Sequence, residues 1–373
     1  MAAVRRESIA FTVTVGVIAA ICAVPMALVI YLSGAPSTVV LATVLAAVPV
    51  APLVAAYLWL DRYEPEPRSL LALGLAWGGF VATAVALVIG GIGQWFVPVS
   101  QHQSLTVVSP LIEEASKGAF LILLLWWRRS ELDGVLDGIV YAGMVGIGFA
   151  FVENILYLAA AYNGTDGLGP GGTDAITATF VLRCLFSPFA HPLFTAFIGI
   201  GVGIAVGSRS RLVQVAAPLA GYLFAVVAHG TWNTATLHGL GGAITVYVVV
   251  MIPALLLLMA FALWARNSEQ KILYAALSDA ARRGLFPPED IAWLVDLRAR
   301  RVARQHARDH GGAAGLRAMK AYQAAAIELG FLHHRYLRGT APRDFSDRGQ
   351  DFVNQLQELR PQVSFPARTV PTR

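Results

Sequence analysis

Charge is what this sequence has least of. Only 14% of its 373 residues are Asp, Glu, Lys or Arg, against roughly 25% in soluble globular domains, and 56% are hydrophobic. That shortage excludes an ordinary water-soluble domain. Cysteine is scarcer still: Cys22 and Cys184 stand alone inside apolar runs, which excludes a disulfide framework and any CxxC metal site. The roughly 34-residue spacing of common helical-repeat arrays is absent, and no internal duplication is visible. The few charges are also unevenly spread. Residues 1–267 hold 11 Lys/Arg and 12 Asp/Glu, whereas residues 268–373 hold 17 and 11. A near-neutral body joined to a basic tail reads as a membrane domain followed by a domain on the anionic cytoplasmic face.

What is present is long apolar runs, near residues 9–32, 38–60, 69–91, 105–127, 138–161, 176–206, 212–236 and 242–265. Each reaches the ~20 residues that cross a ~30 Å hydrocarbon core. The first is too long for a signal-peptide h-region and has no convincing small-residue cleavage site, so it is read as a retained span. The connections set orientation. Arg5/Arg6, Arg62/Arg68, Arg128/Arg129, Arg209/Arg211 and Arg266/Lys271 mark every second connection, while those around Ala35, His102, Gly167 and Gly239 carry no Lys or Arg. This alternation predicts an all-α, polytopic bundle of about eight transmembrane helices over residues 1–267, with both termini cytoplasmic. Residues 268–350 are expected to form a small basic helical domain, with one amphipathic helix starting after Pro287-Pro288 (Leu285, Ile291, Leu294, Val295, Leu297) and a second over 316–337. The Pro- and Arg-rich stretch 351–373 is expected to be disordered. An Ala/Arg/Gly-rich bias points to a bacterium and its plasma membrane.

An ionisable residue within a span is costly and is a functional hypothesis by default. Span four carries Glu113, Glu114 and Lys117, span five Glu153-Asn154, span six Arg183 and His191, and span seven His229 and Asn233. Counting from the outer ends at 1.5 Å per residue, Glu113, Glu153 and His229 each fall ~12 Å deep, and His191 lies at a comparable level. Four helices thus deliver acids and imidazoles to one layer, which predicts a shared polar cavity. A glutamate there suits a general base toward water, and a neutral imidazole suits orienting that water, donating to an oxyanion or ligating a metal. Glu and His are zinc-type ligands, with Glu114, Glu153, His191 and His229 the candidate set; glutamate-activated water without metal fits the same side chains. Glu113 is favoured as base and Glu114 as ligand or proton relay. Asn233, four residues after His229, shares its face and is a candidate oxyanion donor. Lys117 is placed to neutralise one of the paired carboxylates, and Arg183 to pair with an acid. Gly199, Gly203 and Gly207 form a small-xxx-small packing stripe. His306 and His310 sit among arginines on what reads as a solvated or lipid-facing surface.

The order EEASK, FAFVEN, a lone His and HGTWN on successive helices, with DRYEPEPR after span two, resembles the PrsW family of intramembrane proteases, a branch of the CAAX prenyl protease superfamily. The resemblance covers roughly residues 50–240. It implies that Glu113 and Glu114 are the paired catalytic glutamates, completed by Glu153, His191 and His229, with Asn233 in an oxyanion role. Where the prenyl protease branch has His in its Phe-xxx-His motif, this chain has Glu153. The resemblance also implies regulatory proteolysis of a single-span protein such as an anti-sigma factor. The expected activity is therefore an intramembrane endopeptidase acting on a membrane-protein substrate, with zinc as the candidate ion. The rival reading is a proton- or ion-coupled transporter, against which stand the missing inverted repeat and the off-centre polar layer; a catalytically dead scaffold is disfavoured by the intact motifs. The tail lacks any recognised nucleic-acid module and aromatic interleaving, so lipid or protein docking is expected of it.

Overall fold

The computed structural model describes residues 2–96, 99–165, 169–285 and 287–366. Among them every regular element is helical, as a chain must be that hides its backbone polar groups from lipid within single segments. Among the described residues seven stretches are long and apolar enough to cross a membrane: α1 (Ile9–Leu32), α2 (Pro36–Leu60), α3 (Arg68–Gly93), then α5 (Val135–Asn163), α6 (Thr173–Val206), α7 (Arg211–Leu237) and α8 (Gly239–Arg282). The helix between them, α4 (Ser109–Trp127), fills the place of the expected fourth span. Its Glu113, Glu114 and Lys117 lower its apolarity, yet all three are buried. Gly167, at the centre of a connection expected to carry no Lys or Arg, lies outside the described residues.

The chain divides into two compact units, residues 1–61 with 66–262, and residues 62–65 with 263–373. In the first, α5 is the central helix. Nearly all of its apolar window is buried, whereas α1, α2, α7 and α8 leave most of theirs uncovered; a helix apolar all round is enclosed by protein or faces lipid. Glycines bring backbones together at the centre. A Cβ on Gly138 of α5 would lie 2.1 Å from the Gly199 carbonyl oxygen of α6, and one on Gly203 2.4 Å from the Val135 Cα. The predicted stripe is thus used at Gly199 and Gly203. At Gly207 the nearest atoms belong to its own preceding turn, 3.7 Å away. Gly138→Val is expected to destabilise the bundle by about 3 kcal/mol, measured by detergent-titration unfolding, because the obstructing atoms are backbone.

The DRYEPEPR loop folds on itself. Asp61 ends α2 and accepts the Glu66 N–H at 2.8 Å, while the Tyr141 hydroxyl of α5 donates to Glu66 Oε2 at 2.5 Å.

In the second unit the helix expected after Pro287-Pro288 starts with the short segment Ala292–Val295 and is broken at Asp296. Pro288–Asp290 is a 3₁₀ turn, and Asp296 caps α9 (Leu297–Arg338) by accepting from the Arg298 and Ala299 N–H groups, both at 2.8 Å. The two expected helices are joined at Gly312, whose φ of 59° kinks the element. Ile291, Leu294 and Val295 enter the core with Tyr322 and Met319, but Leu285 is exposed. The expectation of disorder from residue 351 fails as far as Leu359: α10 (Phe345–Leu359) is helical because Val353 and Leu356 recur on one face and bury against this core. Residues 367–373 lie outside the described residues.

Candidate active site

Five segments of the first unit converge on one polar cluster. The α4 helix enters it through a π-helical lead-in, Ser104–Val108, itself started by a Ser100/Gln103 capping box. Such widened turns often occur at functional sites. The α6 helix is interrupted where it reaches the cluster: a π segment, Val181–Phe186, ends at Ser187, and Ala190–Val206 resumes after Pro188. A Pro disfavours helical geometry in the residue before it, and non-helical backbone at membrane depth is tolerated where it lines a polar cavity. Ser187 and Pro188 do line one here. The break puts Arg183 on one side and His191 on the other.

The paired glutamates differ sharply. Glu114 is fully buried and fully engaged: Lys117 Nζ donates to Oε1 at 2.8 Å, His229 Nδ1 to Oε1 at 3.0 Å, and Thr195 Oγ1 to Oε2 at 3.2 Å. Glu113 takes the Ser109 hydroxyl on Oε1 at 2.5 Å, but its buried Oε2 has no hydrogen-bond partner. Lys117 Nζ lies 3.6 Å and His229 Nε2 3.8 Å from that oxygen. A carboxylate only accepts, so the His229 ring carries a proton on Nδ1, and in the neutral ring the Nε2 lone pair faces Glu113. A carboxylate behind an imidazole in this way fixes the tautomer and the ring orientation.

Glu153 forms the other half of the cluster. Arg183 Nη2 donates to its Oε2, Arg183 Nε donates to Asn154 Oδ1 at 2.7 Å, and the guanidinium lies 3.9 Å over the Tyr157 ring. His191 Nε2 is 2.8 Å from the same Glu153 oxygen. The Phe of the Phe-xxx-Glu motif has a packing role: Phe149 lies 3.7 Å beneath Lys117 Nζ and its centroid is 5.0 Å from that of His191. The ammonium therefore gains a cation–π contact as it is desolvated. His229 stacks on Phe194 at 5.0 Å, and the two imidazoles stand edge to face at 5.2 Å.

These groups border a cavity with about 30 Å³ of water-sized space, lined by Glu113, Glu153, Arg183, His191, His229 and Asn233 among others. That holds no more than a few waters or one hydrated ion. All six sequence-predicted site residues thus lie at one place, Glu114 just behind the cavity wall. Asn233 borders it while donating Nδ2 to the Leu105 carbonyl of the π segment at 2.9 Å; its amide keeps a second proton. Sequence reasoning missed Ser109, Thr195 and Tyr157. Each stands four residues from a predicted site residue (Glu113, His191 and Glu153), the helical spacing that marks a shared face.

Among the described residues one group of three could hold a metal ion, Glu113, His191 and His229, whose ligand atoms lie within 4.8 Å of one another. Glu114 and Glu153, also proposed as ligands from sequence, are outside that group. Both Glu114 oxygens are occupied, by Lys117 and His229 and by Thr195, and Glu153 Oε2 is shared by Arg183 and His191. The orphaned Glu113 Oε2 and the outward His229 Nε2 fit a cation's donor set; carboxylate oxygen and imidazole nitrogen are ordinary zinc ligands. His306 and His310 in the tail touch ring to ring at 4.0 Å, with His306 half-buried and His310 exposed.

Residues 66–258 match the profile of a family described as "PrsW family intramembrane metalloprotease". The chain is 31% identical over 159 residues to "Protease PrsW" of Geobacillus kaustophilus, covering 42% of this chain and 64% of that protein. It is 27% identical over 228 residues to "Protease PrsW" of Oceanobacillus iheyensis, covering 60% and 96%. Against "Protease PrsW" of Bacillus subtilis the identity is 26% over 159 residues, covering 40% and 62%. No solved structure matches the chain.

Proposed function

This chain belongs to the PrsW family of intramembrane metalloproteases, and from that premise we propose that its Glu/His cluster hydrolyses a peptide bond of a membrane-protein substrate. One observation carries the reading. The cluster holds three acidic side chains, Glu113, Glu114 and Glu153, and two basic ones, Lys117 and Arg183. Arg183 is spent on Glu153 and Lys117 chiefly on Glu114. Glu113 is left with an oxygen that has no hydrogen-bond partner, beside an imidazole nitrogen and a water-sized space. A buried acceptor without a partner is expensive, and it has a use when a water or cation occupies the site.

In this reading Glu113 takes the proton of the attacking water and returns it to the leaving amine. His229 Nε2 orients that water, and Glu114 keeps the imidazole in the useful tautomer. The free Asn233 amide proton is placed to meet the developing oxyanion. Arg183 pairs with Glu153 beside the cavity. A divalent cation, zinc by ligand type, would be held by Glu113 and His229, with Glu113 then a ligand in place of its role as base; it would supply a lowered water pKa and carbonyl polarisation. We assign the protein to a bacterial plasma membrane with both termini cytoplasmic, cleaving a single-span regulatory protein such as an anti-sigma factor on the outer-leaflet side. The transporter reading loses ground to the family match.

The test is cleavage of a panel of single-span fusion proteins by the purified enzyme in proteoliposomes. Wild type is expected to cut at least one; His229→Ala is expected to lose roughly 10²–10⁴-fold in rate. Treatment with a chelator is expected to remove activity and zinc to restore it. Cleavage by His229→Ala at the wild-type rate would sink the assignment.

A further inference from the structure

We infer that Lys117 is the positioning residue of the site: its ammonium fixes the tautomer of His191 and makes that imidazole a hydrogen-bond donor to Glu153. This rests on the proteolytic reading of the same cluster. Lys117 is completely buried, an exceptional state for a lysine side chain. Its Nζ contacts one atom each from three site residues: Glu114 Oε1 at 2.8 Å, His191 Nδ1 at 3.0 Å and Glu113 Oε2 at 3.6 Å. Its remaining face is closed by Phe149.

An ammonium has three donors and no acceptor. Its contact with His191 Nδ1 therefore requires that nitrogen to be bare. The ring proton then lies on Nε2, 2.8 Å from Glu153 Oε2, which can only accept. Donor and acceptor needs are met at both ends, from α4 through the α6 imidazole to α5. His229 has the opposite arrangement, with Nδ1 protonated against Glu114 and Nε2 bare. The two histidines, 5.2 Å apart, thus have different duties: His229 presents a lone pair toward the cavity, and His191 has both nitrogens committed. While Lys117 stays in place, His191 is not an open ligand, although it stands within the 4.8 Å group. Glu113 and His229 then supply the protein's donors to a cation.

The test starts with ¹⁵N-histidine NMR of the wild-type protein in detergent micelles, with His191→Gln used only to assign the signal. The expected His191 spectrum is a neutral imidazole protonated at Nε2, with Nδ1 at an acceptor shift. A proton on Nδ1 would overturn the inference, and this reading needs no substrate, so it decides the matter even if no protein is ever cleaved. Lys117→Met is expected to move the His191 signal toward mixed tautomers and to lower kcat by roughly 10–100-fold with little change in KM, the scale typical of residues behind a ligand. Lys117→Arg, which restores a donor and a charge, is expected to regain the Nε2–H signal and most of kcat. A Lys117→Met protein with the wild-type His191 signal would overturn the inference. If Lys117→Met does not fold, the wild-type tautomer and the Lys117→Arg variant decide it.

Discussion

Glu113→Gln is expected to reduce peptide cleavage by roughly 10²–10⁴-fold without loss of thermal stability, while its neighbour's Glu114→Gln is expected to unfold the bundle more easily by about 3 kcal/mol. The two residues are consecutive, and a helix turns ~100° per residue, so they cannot share surroundings. Glu114 is held by Lys117, His229 and Thr195. Turning it into a neutral amide leaves the buried ammonium without its main counter-charge and offers His229 Nδ1 a weaker acceptor. Glu113 keeps Ser109 as a donor, but its other oxygen has no hydrogen-bond partner. Neutralising it removes a desolvated charge that the fold has not compensated, so stability is expected to hold or rise, the usual trade at a site tuned for function. Melting temperature and single-turnover cleavage, measured on the same preparations, separate the two roles. If Glu113→Gln cleaved as well as wild type while Glu114→Gln was stable and inactive, the assignment of base and support would be reversed.

That division was not legible in the sequence, although much else was. Apolar runs and alternating basic loops are strong signals because lipid tolerates few alternatives. They located the seven long apolar helices and also α4, whose charges make it the least apolar. Helical depth counting brought Glu113, Glu153, His191 and His229 to one level, and they do meet. Sequence spacing does not say which of two adjacent glutamates turns toward a lysine one turn away, because that depends on how α4 rolls against α6. The expected ligand set therefore included Glu114, whose oxygens are spent on Lys117, His229 and Thr195, and Glu153, whose Oε2 is spent on Arg183 and His191. The break in α6 carried a readable sign, Ser187-Pro188 within an apolar run, but its consequence is three-dimensional: it lets one span supply both Arg183 and His191. In the tail, composition misled. Residues 351–359 are polar enough to read as disordered, yet Val353 and Leu356, three apart, suffice to dock a helix on a core already built by α9.

Arg183→Met is expected to cost about 3 kcal/mol in stability and most of the cleavage activity, and Glu153→Gln added to it is expected to return the stability but not the activity. Arg183 donates to Glu153 and Asn154 at once and lies on Tyr157, so its removal leaves a largely buried carboxylate with only His191 as partner. Removing one member of such a pair typically costs about 3–5 kcal/mol, much of it the penalty on the abandoned charge. Replacing both members cancels that penalty, so a double-mutant cycle in detergent-titration unfolding should show strongly non-additive effects, with a coupling of about 2 kcal/mol or more. Activity should not follow, because a neutral amide in place of the Glu153 carboxylate no longer holds the His191 Nε2 proton as a charged acceptor does, and the cavity wall loses its fixed charges. Additive stability effects would mean that Arg183 acts through tyrosine stacking and Asn154 rather than through Glu153. In that event the cavity would hold a second uncompensated carboxylate, and the charge argument that singles out Glu113 would fail with it.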